Sequence, residues 1–170
     1  MVNTRFSTAL HVLVELAASE EKVLSSAELA DKINTHAVVV RRLVALFKEA
    51  ELVNVTRGAN GGVSLAKSPA DISLGELADI TEENFAFETH SIPVSVMNPD
   101  TFPDAVLSTI EGQKRKIQAL ALTHLEGVSL QDILAASILR SELTNLVAKG
   151  LSDEQIRNEY HIQNGHLVRK

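Results

Sequence analysis

Between Leu52 and Leu65 two short apolar runs flank a tip with three glycines in five residues. The runs are Leu52-Val53-Asn54-Val55 and Val63-Ser64-Leu65. The tip is Arg57-Gly58-Ala59-Asn60-Gly61-Gly62. Alternating apolar and polar residues suit strands with one buried face. Glycine lets the tip adopt positive φ and lets backbone approach backbone. The segment therefore predicts a β-hairpin, with an ordinary Asn60-Gly61 turn as the plainer reading. It is not a nucleotide phosphate loop, because it lacks the Lys-Ser/Thr ending and joins strand to strand. A lone two-stranded hairpin is marginal in water, so neighbouring helices must complete it.

Three helical segments precede it. Phe6, Leu10, Leu13, Leu16 and Ala17 recur at helical spacing after Asn3 or Thr4, a candidate cap. Ser25 with Glu28 forms a capping box for a short helix to about Ile33. After a break at Asn34-Thr35, a third helix is expected from about Ala37 to Ala50. At about 100° per residue, Val40, Leu43, Val44 and Phe47 share one face and would pack on the first two helices. The other face carries Val38, Arg41, Ala45 and Lys48, with Arg42 on its shoulder. Three helices followed by a hairpin is the order of a winged helix-turn-helix.

A DNA major groove accepts one helix, whose exposed face must supply donors. Arg41 and Arg42 can fork onto guanine edges or phosphates. Val38 and Ala45 permit close approach, and Lys48 adds charge. In the wing, Arg57, Gly58, Asn60, Gly61 and Gly62 form the expected contact set, with Arg57 or Asn60 suited to a narrow minor groove. The competing readings are a solvated helix face and, for Val38-Val39-Val40, a strand. The continuing helical period through Lys48 argues against the strand.

The net charge of −6 at first opposes nucleic-acid binding. Its distribution does not. Residues 1–72 are balanced, and the whole acidic excess falls in 73–170. Between Lys32 and Lys67 lie Lys32, Arg41, Arg42, Lys48, Arg57 and Lys67 against only Glu49 and Glu51. Screening over about 8–10 Å lets such a patch act locally. The absence of cysteine excludes disulfides, thiol catalysis and cysteine-held metal sites. The six histidines are scattered, no catalytic constellation stands out, and neither a signal peptide nor a membrane span is evident. A soluble, cytoplasmic protein that is not an enzyme is expected, with no metal and no cofactor.

Beyond the wing, Ser73–Ile80 reads as a short helix, and 81–102, with Pro93 and Pro99, as a linker. A helix from Pro103 to Leu125 follows. Its Leu107, Ile110, Lys114, Ile117, Leu120, Ala121 and His124 recur at three- and four-residue steps that suit a helix–helix seam. The polar run Gln113-Lys114-Arg115-Lys116 reads as a solvated face or as a phosphate contact near a dimer axis. Ser129 with Asp132 opens a helix to Lys149, closed by Gly150. Ser152 with Gln155 caps a last short helix to about Tyr160, and His161–Lys170 reads as a loosely ordered polar tail. The division expected is 1–80 reading head, 81–102 linker, 103–126 dimerisation helix and 127–170 helical extension. The fold class is mostly α with a small β-hairpin wing.

The segments Val39-Val40-Arg41-Arg42-Leu43, Glu51-Leu52-Val53, Arg57 to Leu65 and Pro69-Ala70-Asp71-Ile72-Ser73-Leu74 resemble the Rrf2 family of bacterial winged-helix regulators, which includes the IscR, NsrR and CymR types. The run His36-Ala37-Val38-Val39-Val40-Arg41-Arg42 is most similar to the cysteine-free, YwnA-like branch. The resemblance covers about 3–125 and is strongest over 27–77. It implies a homodimer joined through the long helix, with two reading heads on a palindromic operator. The basic, glycine-winged third-helix unit leads to the expectation of a repressor that binds double-stranded DNA in a sequence-specific way. The sensor members place three cysteines where this chain has Phe85 to Phe102. Here only His90 remains as a ligand, so iron–sulfur and nitric-oxide sensing do not carry over. An unidentified small-molecule effector would fit the same architecture. The alternative is a protein-interaction or ligand-sensing module that keeps the winged fold without reading DNA.

Overall fold

The computed structural model describes residues 4–19, 23–58, 61–86 and 102–170, with the backbone alone for 102–104. Ala59, Asn60, His90, Pro93 and Pro99, and most of the expected linker, lie outside the described residues.

Three helices open the chain: α1 (Arg5–Ala18), α2 (Ser26–Lys32) and α3 (Ala37–Glu49). α1 buries Ala9, Val12, Leu13 and Leu16, one stripe at three- and four-residue steps. The α2 start is set by the expected capping box: Ser25 Oγ accepts from Glu28 N at 3.2 Å, and Ser25 N donates to the Glu28 carboxylate at 2.8 Å. Hydrogen bonding to that carboxylate, from the Ser25 side chain first and the Ser25 backbone N–H second, holds the Glu28 carboxyl below its ordinary range. The break between α2 and α3 turns at Asn34, which sits at φ 53°. Asparagine tolerates this left-handed backbone better than most residues.

The wing is the antiparallel pair β1 (Val53–Thr56) and β2 (Gly62–Leu65), in register from Val53↔Leu65 to Thr56↔Gly62. Leu24 adds a third, one-residue strand: it exchanges hydrogen bonds with Val63 at 3.0 and 2.8 Å. A short 3₁₀ turn at Pro69–Asp71 leads to α4 (Leu74–Thr81), whose cap Ser73 accepts from Glu76 N. The expected elements of the head are therefore all present, within one or two residues of their expected ends.

One apolar core joins α1, α2, α3 and the wing, with Phe47, Leu13, Leu29, Val40 and Leu52 wholly buried. Leu130, from the start of α6 (Leu130–Ala148), belongs to the same core. Leu74 N donates to Val128 O at 2.9 Å and Leu130 N to Ile72 O at 2.8 Å. These bonds fasten the turn between α5 (Phe102–Glu126) and α6 to the head. α5 packs along α4, where a side chain at Gly75 would meet Glu126 Cγ at 2.8 Å.

The C-terminal end departs from expectation. α7 (Asp153–Glu159) is capped by Ser152 as expected, but His161–Lys170 is not a loose tail. Strands β3 (Tyr160–Gln163) and β4 (His166–Arg169) form an antiparallel hairpin turned at Asn164 and Gly165, with φ 52° and 80°. Asn-Gly is the dipeptide that a two-residue hairpin turn prefers. α6 holds this hairpin through one carboxylate. Leu167 N donates to Glu142 Oε2 at 2.7 Å, and the His166 ring lies 2.8 Å from Glu142 Oε1. The His166 bond first, and the backbone bond second, hold the Glu142 carboxyl below its ordinary range.

Candidate nucleic-acid interface

α3 divides as its periodicity dictates. Val40, Leu43, Val44 and Phe47 are buried. Val38 is 49% exposed, and Arg41, Arg42, Ala45 and Lys48 are exposed as well. The five residues expected to meet DNA thus lie on the outer surface of one helix, held by a rigid core.

The cations around this helix fall into two groups. Lys32 is paired with Glu15 at 3.0 Å, and Lys67 with Glu76 at 3.0 Å. These two knit the head together. Among the described residues, Arg41, Arg42, Lys48 and Arg57 have no side-chain hydrogen bond or ion pair. Four cations without an internal partner on α3 and the wing form a surface that suits a polyanion.

The wing glycines act in different ways. Gly58 takes φ 115° and a side chain there would meet nothing within 4 Å, so its role is conformational. Gly61 and Gly62 answer to close approach within the chain. A Cβ on Gly61 would strike Thr56 O, and one on Gly62 would lie 2.6 Å from Leu24 O. The backbone of the Leu24 strand can reach β2 only because Gly62 has no side chain. Gly62→Ala is expected to push the wing off Leu24 and to destabilise the head by about 1–3 kcal/mol. A urea melt checks this, and an unchanged midpoint would contradict it.

Sequence reasoning missed two features here. The pairing of Leu24 with the wing is a single bridge, too short for a strand pattern. Its only signal is the apolar Val23-Leu24 just ahead of the Ser25 cap. The second is His36, the N-cap of α3, which is exposed.

On α5 the residues of the expected seam fall on adjoining faces. Leu107 is only 8% exposed, and Ala121 and Lys114 are half-buried along the same side. Ile117 and Leu120 are 42% and 72% exposed, with His124 beside them and Ile110 half-buried at the edge. Val106, which the seam omitted, extends this apolar stripe. On another side, Gln118 bonds both Glu83 O (2.9 Å) and Phe85 N (2.8 Å). Next to it lies an open cavity of about 460 Å³, lined by Asn84, Lys114, Arg115 and Leu122 among others. The Phe6 and Phe85 rings meet edge to face at 5.3 Å, fixing the chain after α4 against α1.

The comparisons agree with this architecture. The family model described as Rrf2, iron-dependent transcriptional regulator, matches residues 2–136. YwnA of Bacillus subtilis (strain 168), named as a candidate HTH-type transcriptional regulator, is 35% identical over 137 residues, covering 79% of this chain and 97% of YwnA. A solved structure described as a candidate DNA-binding protein is 31% identical, with a TM-score of 0.57, covering 76% of this chain and 98% of that one. The structure of CymR, the global cysteine regulator of B. subtilis, shares the fold at 23% identity and a TM-score of 0.56 over 79% of this chain and 96% of CymR.

The iron of the family description finds no donor set among the described residues. There is no cysteine, and among the described residues no three His, Asp or Glu side chains gather as a metal site. Nor is any helix of the described residues long and apolar enough to cross a membrane. The match over most of the chain, the winged helix and the exposed basic helix lead to one assignment: this chain belongs to the Rrf2 family and is a DNA-binding transcriptional regulator, not an enzyme.

Proposed function

We propose that the chain is a cytoplasmic, homodimeric repressor that docks α3 in the major groove of a palindromic operator and works without an iron–sulfur cluster. The observation that carries this reading is the set of unpartnered cations on α3 and the wing, beside Lys32 and Lys67 whose charges are spent on internal pairs. Arg41 and Arg42 bind guanine edges or phosphates, Lys48 binds a phosphate, and Val38 and Ala45 let the helix approach the bases. Arg57 enters the minor groove from the wing; Asn60, outside the described residues, belongs to the same tip. Gly58, Gly61 and Gly62 give the wing its shape. Occupying the operator blocks transcription from it.

Two copies join through the α5 stripe of Val106, Ile110, Ile117, Leu120 and His124. Leu107, Lys114 and Ala121 lie on the adjoining, more buried face of that helix. A small-molecule effector would act by binding two dimer geometries unequally.

Selection of bound sequences from random DNA tests the reading. A two-fold symmetric motif is the expected product, and the absence of any enriched motif would contradict it. The pair Ile117→Asp and Leu120→Asp is expected to leave a folded monomer in sedimentation. Without the link between two half-sites, operator affinity falls by about 10²–10⁴. A variant that remains dimeric would place the interface elsewhere.

A further inference from the structure

One polar side chain at the leading end of α3 has no part in the assignments above. His36 is the N-cap of α3, with extended backbone (φ −96°, ψ 136°), and its side chain makes no capping bond. It is exposed, and among the described residues its ring has no hydrogen-bond or ion-pair partner. An N-cap side chain ordinarily accepts a hydrogen bond from the first helical turn. Ser25, Ser73, Ser129 and Ser152 all do so at their helices. His36 does not, so its ring adds no hydrogen bond to the fold of the head.

The chemistry of the ring and its place define what it would meet. A reading helix presents its N-terminal residues to base edges. A neutral imidazole offers one N–H donor and one ring acceptor in a fixed plane. In the major groove both purines expose N7 as an acceptor, and guanine adds O6 beside it. The phosphates flanking the helix are already matched by Arg42 and Lys48, which are longer and carry full charge. Val38, the next exposed position on the leading turn, has no polar atom with which to discriminate bases.

We propose that His36 is a specificity-determining residue whose ring N–H donates to a purine edge in the major groove, fixing one base position in each half-site. The inference rests on the docking of α3 proposed above, and the following experiment separates the two. Full-length wild type, His36→Ala and His36→Asn are each used to select sites from random DNA. Their affinities are then measured on the wild-type site and on its single-base variants at fixed salt.

Wild type is expected to require a purine at one position per half-site. His36→Ala is expected to lose that preference and to bind the selected site about 5- to 100-fold more weakly. On a site already changed at that position it should bind as wild type does. His36→Asn, which pairs with adenine through two hydrogen bonds, is expected to restore a preference, now for adenine. Thermal melts of both variants should match wild type or, for asparagine, exceed it. Unchanged preference at every position in His36→Ala overturns the inference while leaving the docking intact. Equal weakening on all sequences, with a shallower salt dependence, assigns His36 to a phosphate and also overturns it. Failure of wild type to select any sequence removes the docking itself, and this inference with it.

Discussion

Phe47→Ala is expected to lower the stability of the reading head by roughly 3–5 kcal/mol, the cost of emptying an aromatic site in a packed core. Phe47 is fully buried and lies where α3 meets α1, α2 and the wing. Its backbone carbonyl also accepts from Leu52 N at 2.8 Å, in the turn where the chain leaves α3 for β1. Glu51 occupies that turn at φ 57°, a strained conformation for a residue with a side chain. The packing around Phe47 therefore holds both the helix and the strained turn that launches the wing. Small domains have only about 5–15 kcal/mol of stability, so this change uses up much of it. Urea denaturation followed by circular dichroism measures the loss. DNA binding should fall in step with the folded fraction. A loss below about 1 kcal/mol would mean that the core does not depend on this ring.

The head was legible in the sequence because several local signals agree there. The α3 period separates Val40, Leu43, Val44 and Phe47 from Arg41, Ala45 and Lys48, and burial follows that division. The glycine-rich tip marks a turn, and Ser25, Ser129 and Ser152 mark helix starts through capping boxes that form as read. Each signal depends on neighbours along the chain, which a sequence displays directly.

What the sequence hid depends on distant partners. The hairpin at 160–169 carries Asn164-Gly165, a strong turn signal. Its flanking strands are too polar to show a buried face, and its anchors are distant: the Glu142 carboxylate on α6 accepts from Leu167 N and pairs with the His166 ring. The α5 seam shows a second kind of limit. A helical period finds apolar positions on two adjoining faces but does not say which of them packs within the chain. Leu107 packs within it, whereas Ile117 and Leu120 remain open to solvent. Among the cations, Lys32 and Lys67 look equivalent to Arg41 and Arg42 in sequence. Only the fold brings Glu15 and Glu76 to the first pair.

That distinction leads to the second large effect. Replacing Arg41, Arg42 and Arg57 together by alanine removes three exposed cations with no internal partner. None of them supports the core, so the fold should survive. A base-edge contact contributes about 1–3 kcal/mol, and each neutralised phosphate about 0.9 to the slope of log affinity against log salt. Binding to the selected operator should fall at least about 100-fold, and the slope should become shallower for the variant. Replacing Lys32 and Lys67 instead should cost stability more than affinity, since their charges are engaged within the head.

Whether the exposed basic face of α3 and the wing reads DNA is tested by a salt titration of operator affinity, followed by fluorescence anisotropy. Wild type and the Arg41→Ala/Arg42→Ala/Arg57→Ala variant would be measured side by side, with melts confirming that both are folded. A steep salt slope is expected for wild type, and for the variant a shallower slope with at least about 100-fold weaker binding. Equal affinity and equal slope for two folded proteins would contradict it.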